Sequence, residues 1–509
     1  MPLRLKQLPI LALWLPLALM AAPGIGTKTP KLELQGLSGD LAKNARAFLS
    51  LAKLDCAAED WRIQSAQEKA PKEITQGLQA LGYYSPKITQ GAFKRENNCW
   101  SQGFSIDAGQ PVHLAEVDVR LLGPGAQDPL LQKALTAPPL KAGAVLNHGD
   151  YESTKAALLS LAAQYGYFDA QLVDRRLLVK PSTRQAWIHL HLDTGQRYRF
   201  GKVRYQNKKL DQGLVERYQN FSEGEYFDTS TLNTFQQALV GSQYFDDVNL
   251  HQKQRFESKT VDFDLVLEER KRRNYGIGVG FTTDAGPHIS AKYENRYLNA
   301  KGHRFEANGK VSAIGGELSA AYSVPLADPT KEWLTFSGTY KQENTDTSDS
   351  TTYRLGGRMT TALRDSWLQT LSLDIEQEDF EVAGTKGSTT PLVAGIGWER
   401  VHKDNPMRIR NGSQMKLELL GAPVDFGEGT AFAQAKASAY WIASLGERSR
   451  LLLRGDLGGT LTDDYNRLGA SHRFFAGGDR SVRGYDYQSL GPKNSRGKVI
   501  GGTTLVVGS

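Results

Sequence analysis

The chain has 509 residues, 62 Lys and Arg against 55 Asp and Glu, and a net charge of +7. Hydrophobic residues make up 40% and aromatic residues 9%, which excludes a disordered chain. Beyond the N-terminal stretch no run approaches the ~18 apolar residues of a helical membrane span. Glycine accounts for 51 residues, and 32 of them fall from Gly276 onward. The fold is therefore expected to change character near residue 274, within a length that fits roughly three to five domains.

Residues 1–22 read as a secretory signal. Arg4 and Lys6 form a positive start, Leu8 to Met20 a short apolar core, and Ala21-Ala22 follow. Export sets the reading of what comes next. Cys56 and Cys99 lie in one early segment, and an even pair in an oxidising compartment is expected to form a disulfide. The basic run Arg270-Lys271-Arg272-Arg273 suits an anionic membrane surface or a solvated linker, because an exported chain does not meet nucleic acid.

Three segments echo one another: Leu81-Gly82-Tyr83-Tyr84, Tyr165-Gly166-Tyr167-Phe168 and Gln243-Tyr244-Phe245-Asp246. Each follows an amphipathic helical stretch, and a glycine after the last turn permits a left-handed cap. The third copy has Gln243 where the others have glycine, so its cap must differ. Asp107-Ala108-Gly109-Gln110 and Asp193-Thr194-Gly195-Gln196 form a second echo between strand-like runs. Each unit reads β-α-α-β-β, and the units are placed at 27–111, 112–197 and 198–270. Small beads with exposed edge strands suit the capture of extended peptide by strand addition.

From residue 274 to 509 the pattern becomes a period of two. Leu371, Leu373 and Ile375 alternate with Ser372, Asp374 and Glu376, and Ala433, Ala435, Ala437 and Ala439 alternate with Gln434, Lys436 and Ser438. Together with export, this predicts an antiparallel transmembrane β-barrel of about twelve strands. Tyr293, Tyr297, Trp333, Trp367, Trp398 and Trp441 are the expected interfacial aromatics. Gly276, Gly278 and Gly280 share one face of the first strand, which predicts a weak, easily opened strand.

Catalytic patterns are not evident. There is no G-x-S-x-G and no H-E-x-x-H, and the chain is expected to be neither an enzyme nor a cofactor carrier. His189 and His191 share a strand face, but the sequence places no further ligand beside them, so they read as surface histidines and no metal is expected.

The long loop from Leu461 to Gly497 contains Arg473-Phe474-Phe475-Ala476-Gly477-Gly478-Asp479-Arg480-Ser481-Val482-Arg483-Gly484-Tyr485. This run resembles the V-R-G-Y/F loop of the outer-membrane assembly and two-partner-secretion transporters, in which periplasmic POTRA modules precede a barrel. Three modules and the R-F-F-A-G-G-D-R-S run are similar to the TamA branch of that family. The resemblance implies that Val482, Arg483, Gly484 and Tyr485 fold into the lumen and that Arg483 pairs with acidic groups on the inner wall of later strands, which are expected to lie beyond residue 509. It implies a 16-stranded barrel, so the chain is expected to lack its closing strands. It further implies an outer-membrane location with the modules in the periplasm, unfolded β-barrel clients such as autotransporters, a TamB-like periplasm-spanning partner and contact with outer-membrane lipids, with a possible role in lipid traffic. A two-partner-secretion transporter that exports one dedicated substrate is the alternative, and three modules count against it. A passive porin is disfavoured by the upstream beads.

Overall fold

The computed structural model describes residues 29–96, 99–135, 140–405, 407–479 and 481–509. The expected signal at 1–22 lies outside the described residues. The chain divides into two compact units, one ending at Arg197 and the other spanning Tyr198–Ser509.

The first unit holds two sheets. The first sheet is built from β1 (Lys31–Gln35), α1 (Gly39–Phe48), α2 (Asp60–Gln79), β2 (Lys87–Gln90), β3 (Lys94–Glu96) and β4 (Cys99–Asp107). β4 lies at its centre, parallel to β1 and antiparallel to β2 and β3. Trp100, Phe104 and Ile106 point from β4 to one side, where they meet Ile63, Ala66, Ala70, Ile74 and Leu78 of α2. Those helix positions recur every three or four residues, as one buried helix face requires. Cys56 and Cys99 are joined by a disulfide across 43 residues of sequence. Beside it the Trp100 indole donates to the Asp55 carbonyl.

The second sheet repeats the plan with β5 (His113–Leu122), α3 (Pro129–Leu135), α4 (His148–Gln164), β6 (Gln171–Lys180) and β7 (Gln185–Asp193). The last strand is again central, parallel to the first and antiparallel to the middle one. The second unit opens with a third copy: β8 (Arg199–Gln206), α5 (Gln212–Glu216), α6 (Thr229–Gly241), β9 (Phe245–Arg255) and β10 (Thr260–Glu269). Its core is aromatic, with the Phe200 and Phe221 rings stacked 4.0 Å apart.

The helix-end echo has a backbone cause. Gly82 and Gly166 take positive φ of 92° and 84°, and the next residues, Tyr83 and Tyr167, donate back to Leu78 and Ala162. These are the left-handed turns that favour glycine. In the third copy Gln243 adopts a φ of 61°, and Tyr244 donates instead to the Ser242 hydroxyl.

The rest of the second unit is one antiparallel sheet of thirteen strands. They are β11 (Arg273–Thr282), β12 (Gly286–Asn295), β13 (Arg304–Ser312), β14 (Gly315–Pro325), β15 (Glu332–Asn344), β16 (Ser348–Ala362), β17 (Trp367–Val382), β18 (Thr385–Thr389), β19 (Pro391–Lys403), β20 (Gly412–Asp425), β21 (Phe432–Leu445), β22 (Ser449–Thr462) and β23 (Thr504–Gly508). The strand beyond the expected twelve is β18. β17 outruns its pairing with β19 after Ile375, and its extension folds back on β18 as a hairpin. The sheet is not closed: β11 and β23 are the ends of the path and do not pair with each other.

The third copy is seated on one end of this sheet. Arg217 donates to the Pro325 and Leu326 carbonyls at 3.1 and 2.6 Å, and the Asp211 amide donates to Ala300. The Tyr244 hydroxyl donates to the Gly302 carbonyl at 2.5 Å, where any Cβ would collide with Leu214 and Tyr244. Arg304 lies 4.3 Å over the Trp333 ring and 4.6 Å over Tyr244. Two expected lipid-facing aromatics are therefore used differently. Tyr297 is buried and donates to the Arg270 carbonyl, and Trp333 is part-buried under Arg304.

Reducing the Cys56–Cys99 bond should destabilise the first sheet by about 4 kcal/mol on the chain-entropy estimate for a loop of this length. The check is thermal unfolding of the full chain with Cys56→Ala and Cys99→Ala, read alongside peptide mapping without reductant. Two free thiols in the exported protein would contradict it.

Candidate functional site

β11 owes its character to its sequence, R-N-Y-G-I-G-V-G-F-T. Tyr275, Ile277, Val279 and Phe281 project from one face, and Ile277 and Val279 are 87% and 81% exposed. Gly276, Gly278 and Gly280 occupy the other face, opposite Lys292, Ser290 and His288 of β12. All ten residues of β11 pair with β12, while the other edge has no partner among the described residues. Glycine brings no side chain to pack and more entropy to lose, so any second pairing at this edge is weak.

The alternation expected for the wall is seen in β17. Leu371, Leu373 and Ile375 are exposed on the outer face, whereas Glu376, Glu378, Phe380 and Val382 are buried on the inner face. What buries them is the segment between β22 and β23, residues 463–503, which starts at the end of the sheet away from the third copy. It turns through short 3-10 turns at Tyr465–Arg467 and Ala470–His472. It then pairs with itself through isolated bridges, Phe474 with Gly502 and Ala476 with Leu490.

Ser471 anchors this loop to the wall. Its hydroxyl donates to Glu376 at 3.0 Å and to Glu378 at 2.8 Å, and its amide donates to Glu378 at 3.0 Å. Arg354 completes the group with an ion pair of 2.7 Å to Glu376. Burying two carboxylates is costly unless each is paired or hydrogen-bonded; here Arg354 pairs with Glu376, and Ser471 supplies the hydrogen bonds of Glu378. Gln434 on β21 donates to the His472 carbonyl at 2.8 Å. Ala470 and Phe475 pack against Phe380 and Val382. Gly458 leaves the space that the Phe474 ring fills, since a Cβ there would clash with it.

Arg473 holds the loop to itself. It is 9% exposed and donates to the carbonyls of Leu468 at 3.0 and 2.8 Å, Asn466 at 3.1 Å and Ile500 at 3.3 Å. Its guanidinium lies 4.6 Å over the Tyr465 ring. Further along, the Asp479 amide donates to Asp284, and the Thr283 hydroxyl donates to the Asp479 carboxylate. Thr283 and Asp284 form the turn between β11 and β12, so the loop reaches the weak strand directly. The Tyr487 hydroxyl donates to Glu343 at 3.0 Å.

The V-R-G-Y stretch forms a turn of this loop. Arg483, Gly484 and Tyr485 are exposed, Val482 is part-buried, and Gly484 takes a φ of 90° at a turn. Arg483 makes no ion pair among the described residues, and the acidic wall groups facing the loop are engaged by Ser471 and Arg354. The sequence reading missed Arg473, Ser471 and Glu378. Arg473 opens the R-F-F-A-G-G-D run, and its place at the edge of a hydrophobic pair was the available signal.

A family model for the Omp85 superfamily domain matches residues 270–509, and one for POTRA domain 1 of TamA matches residues 31–108. Residues 270–509 thus match the Omp85 superfamily domain. It is an outer-membrane protein with periplasmic POTRA domains. It is 20% identical over 282 residues to the outer membrane protein assembly factor BamA of Buchnera aphidicola subsp. Acyrthosiphon pisum, covering 53% of this chain and 45% of that protein. It is 23% identical over 368 residues to BamA of Neisseria meningitidis serogroup B, covering 65% and 45%. The chain thus spans under half the length of these relatives. The crystal structure of BamA from Haemophilus ducreyi lacking POTRA domains 1–3 shares the fold, with a TM-score of 0.64 at 17% identity, over 78% of this chain and 81% of that one.

Arg473→Ala should loosen the internal fold of the loop. It removes one cation from four carbonyl contacts, at roughly 2–5 kcal/mol for a buried charged donor. Arg473→Lys should recover only part, because lysine lacks the planar fork. Heat resistance in semi-native gels checks this, with Arg496→Ala, at an exposed loop position, as the comparison. Equal behaviour of Arg473→Ala and Arg496→Ala would refute the assignment.

Proposed function

We propose that this protein assembles unfolded β-barrel clients, including autotransporter-type chains, into the outer membrane. The observation that carries the proposal is β11, a strand with three glycines on one face and an exposed apolar outer face. A client strand that pairs with this edge satisfies its backbone groups as it enters the hydrocarbon, where unpaired groups are costly. The sheet's exterior then continues onto the client without a break in apolar surface. Energy comes from strand pairing and burial in lipid, so no nucleotide or cofactor is needed.

The POTRA modules supply the approach. Each has its first and middle strands at the sheet edges, which is the geometry for receiving extended peptide. A TamA-like role in partnership with a TamB-like periplasm-spanning protein is the finer form of the proposal. The match of residues 31–108 to the first TamA POTRA domain supports it, and in this proposal the first module is the docking point. Contact with outer-membrane lipids, and a part in their traffic, belongs to the same proposal.

The test is reconstitution of the full chain into lipid vesicles with an urea-unfolded outer-membrane barrel as client. Folding, read by the gel shift of the client, should be faster than in protein-free vesicles by about tenfold or more, a barrier change of roughly 1.4 kcal/mol. Gly278→Val, which adds side-chain packing at the edge and meets the Ser290 hydroxyl, should slow it. No acceleration over empty vesicles would overturn the proposal. Release of a soluble substrate across the vesicle, without client insertion, would favour the two-partner-secretion reading.

A further inference from the structure

The second POTRA module carries a feature that barrel assembly does not use. On β7, Ala186, Ile188, Leu190 and Leu192 are fully buried against the helices. The alternate residues His189 and His191 therefore face the other side of the sheet. Parallel pairing sets Asp118 of β5 opposite His189 and Arg120 opposite His191. Antiparallel pairing sets Asp174 of β6 opposite His191 and Arg176 opposite His189. The sheet thus gathers two imidazoles, two carboxylates and two guanidinium groups on its open face.

The distances have direction. Asp118 Oδ2 lies 2.9 Å from His191 Nε2 and 3.8 Å from His189 Nδ1. One ligand atom from each of the three residues falls within 4.8 Å of the others. A tetrahedral zinc ion with bonds of about 2.0–2.2 Å holds its ligands roughly 3.4 Å apart, so small side-chain rotations suffice to close this set. We propose that Asp118, His189 and His191 form a site for a divalent transition-metal ion, with zinc the best match to this donor set.

The surroundings favour binding. His191 Nδ1 faces Asp174 Oδ2 at 4.0 Å, which places a carboxylate behind the metal-facing imidazole, as in carboxylate–histidine–zinc arrangements. Asp174 is itself fixed by Arg176 at 2.6 and 2.8 Å. Arg120 holds the other oxygen of Asp118 at 2.5 Å and leaves Oδ2 for the metal. Side-chain exposures of 22% for both histidines and 14% for Asp118 leave an entry path. The two arginines place positive charge nearby, which lowers the affinity. Three protein ligands leave a fourth position open to water or to a side chain of a partner.

The experiment uses the full chain in detergent, without a histidine tag and stripped by chelator, titrated with Zn²⁺ alone by calorimetry and with Co²⁺ alone by visible absorption. One ion per chain should bind with a Kd of about 10 μM near neutral pH, equivalent to roughly 7 kcal/mol. Binding should weaken about tenfold or more in acid, because metal binding releases protons. His191→Asn and Asp118→Asn should each cost at least about tenfold, Asp174→Asn less, and Arg120→Ala should tighten binding. Far-ultraviolet circular dichroism confirms that each variant is folded. Zinc affinity weaker than ~1 mM, or affinity that folded His191→Asn and Asp118→Asn leave unchanged, would show that the cluster is only an ion-pair ladder.

Discussion

A β-sheet in hydrocarbon has no water to satisfy its backbone, so every strand edge must find a partner. Among the described residues β11 begins the twelve-strand path and pairs along its whole length with β12. Around it the rest of the second unit acquires its logic. The outer face is apolar because it meets lipid, and the inner face is polar because it meets water and the loop. The three glycines of β11 keep its pairing shallow, and the loop's Asp479 reaches the β11–β12 turn through Thr283 and Asp284. A strand that pairs weakly, beside a loop that touches its turn, is positioned to exchange one partner for another.

The modules obey a different rule, since their cores close without lipid. In each the last strand is central, and the helices cover one face. The helix-ending left-handed turn then sends the next aromatics back toward the core, with Tyr167 and Tyr244 buried. The third module adds a mechanical role through Arg217 and Tyr244. Their bonds to the turns at Gly302 and Pro325–Leu326 tie its motion to the ends of β12 to β15.

Much of this was legible in the sequence, for physical reasons. A period of two survives in the wall because lipid and lumen alternate along each strand, as Leu371 to Glu376 display. The Gly-Tyr echoes survive because few residues other than glycine adopt positive φ cheaply. Legibility failed where contacts join distant segments. Asp118 lies far from His189 in sequence, and only parallel pairing of the first and last strands of the module brings them together. Glu378 is one more polar residue in an alternating strand until Ser471 docks on it. Arg483 stood out by motif, but an exposed turn holds it, and the buried cation is Arg473. Tyr297 and Trp333 read as interfacial aromatics because strand ends near lipid and strand ends near a docked module carry similar residues.

The central claim is that β11 is the strand where clients engage. Hydrogen–deuterium exchange of the full chain in lipid vesicles, with and without an unfolded barrel client, addresses it most directly. The account predicts that amides of residues 273–282 exchange fast without client and become protected when client is added, while the β16–β17 pair stays protected throughout. Equal protection of residues 273–282 in both states would contradict it.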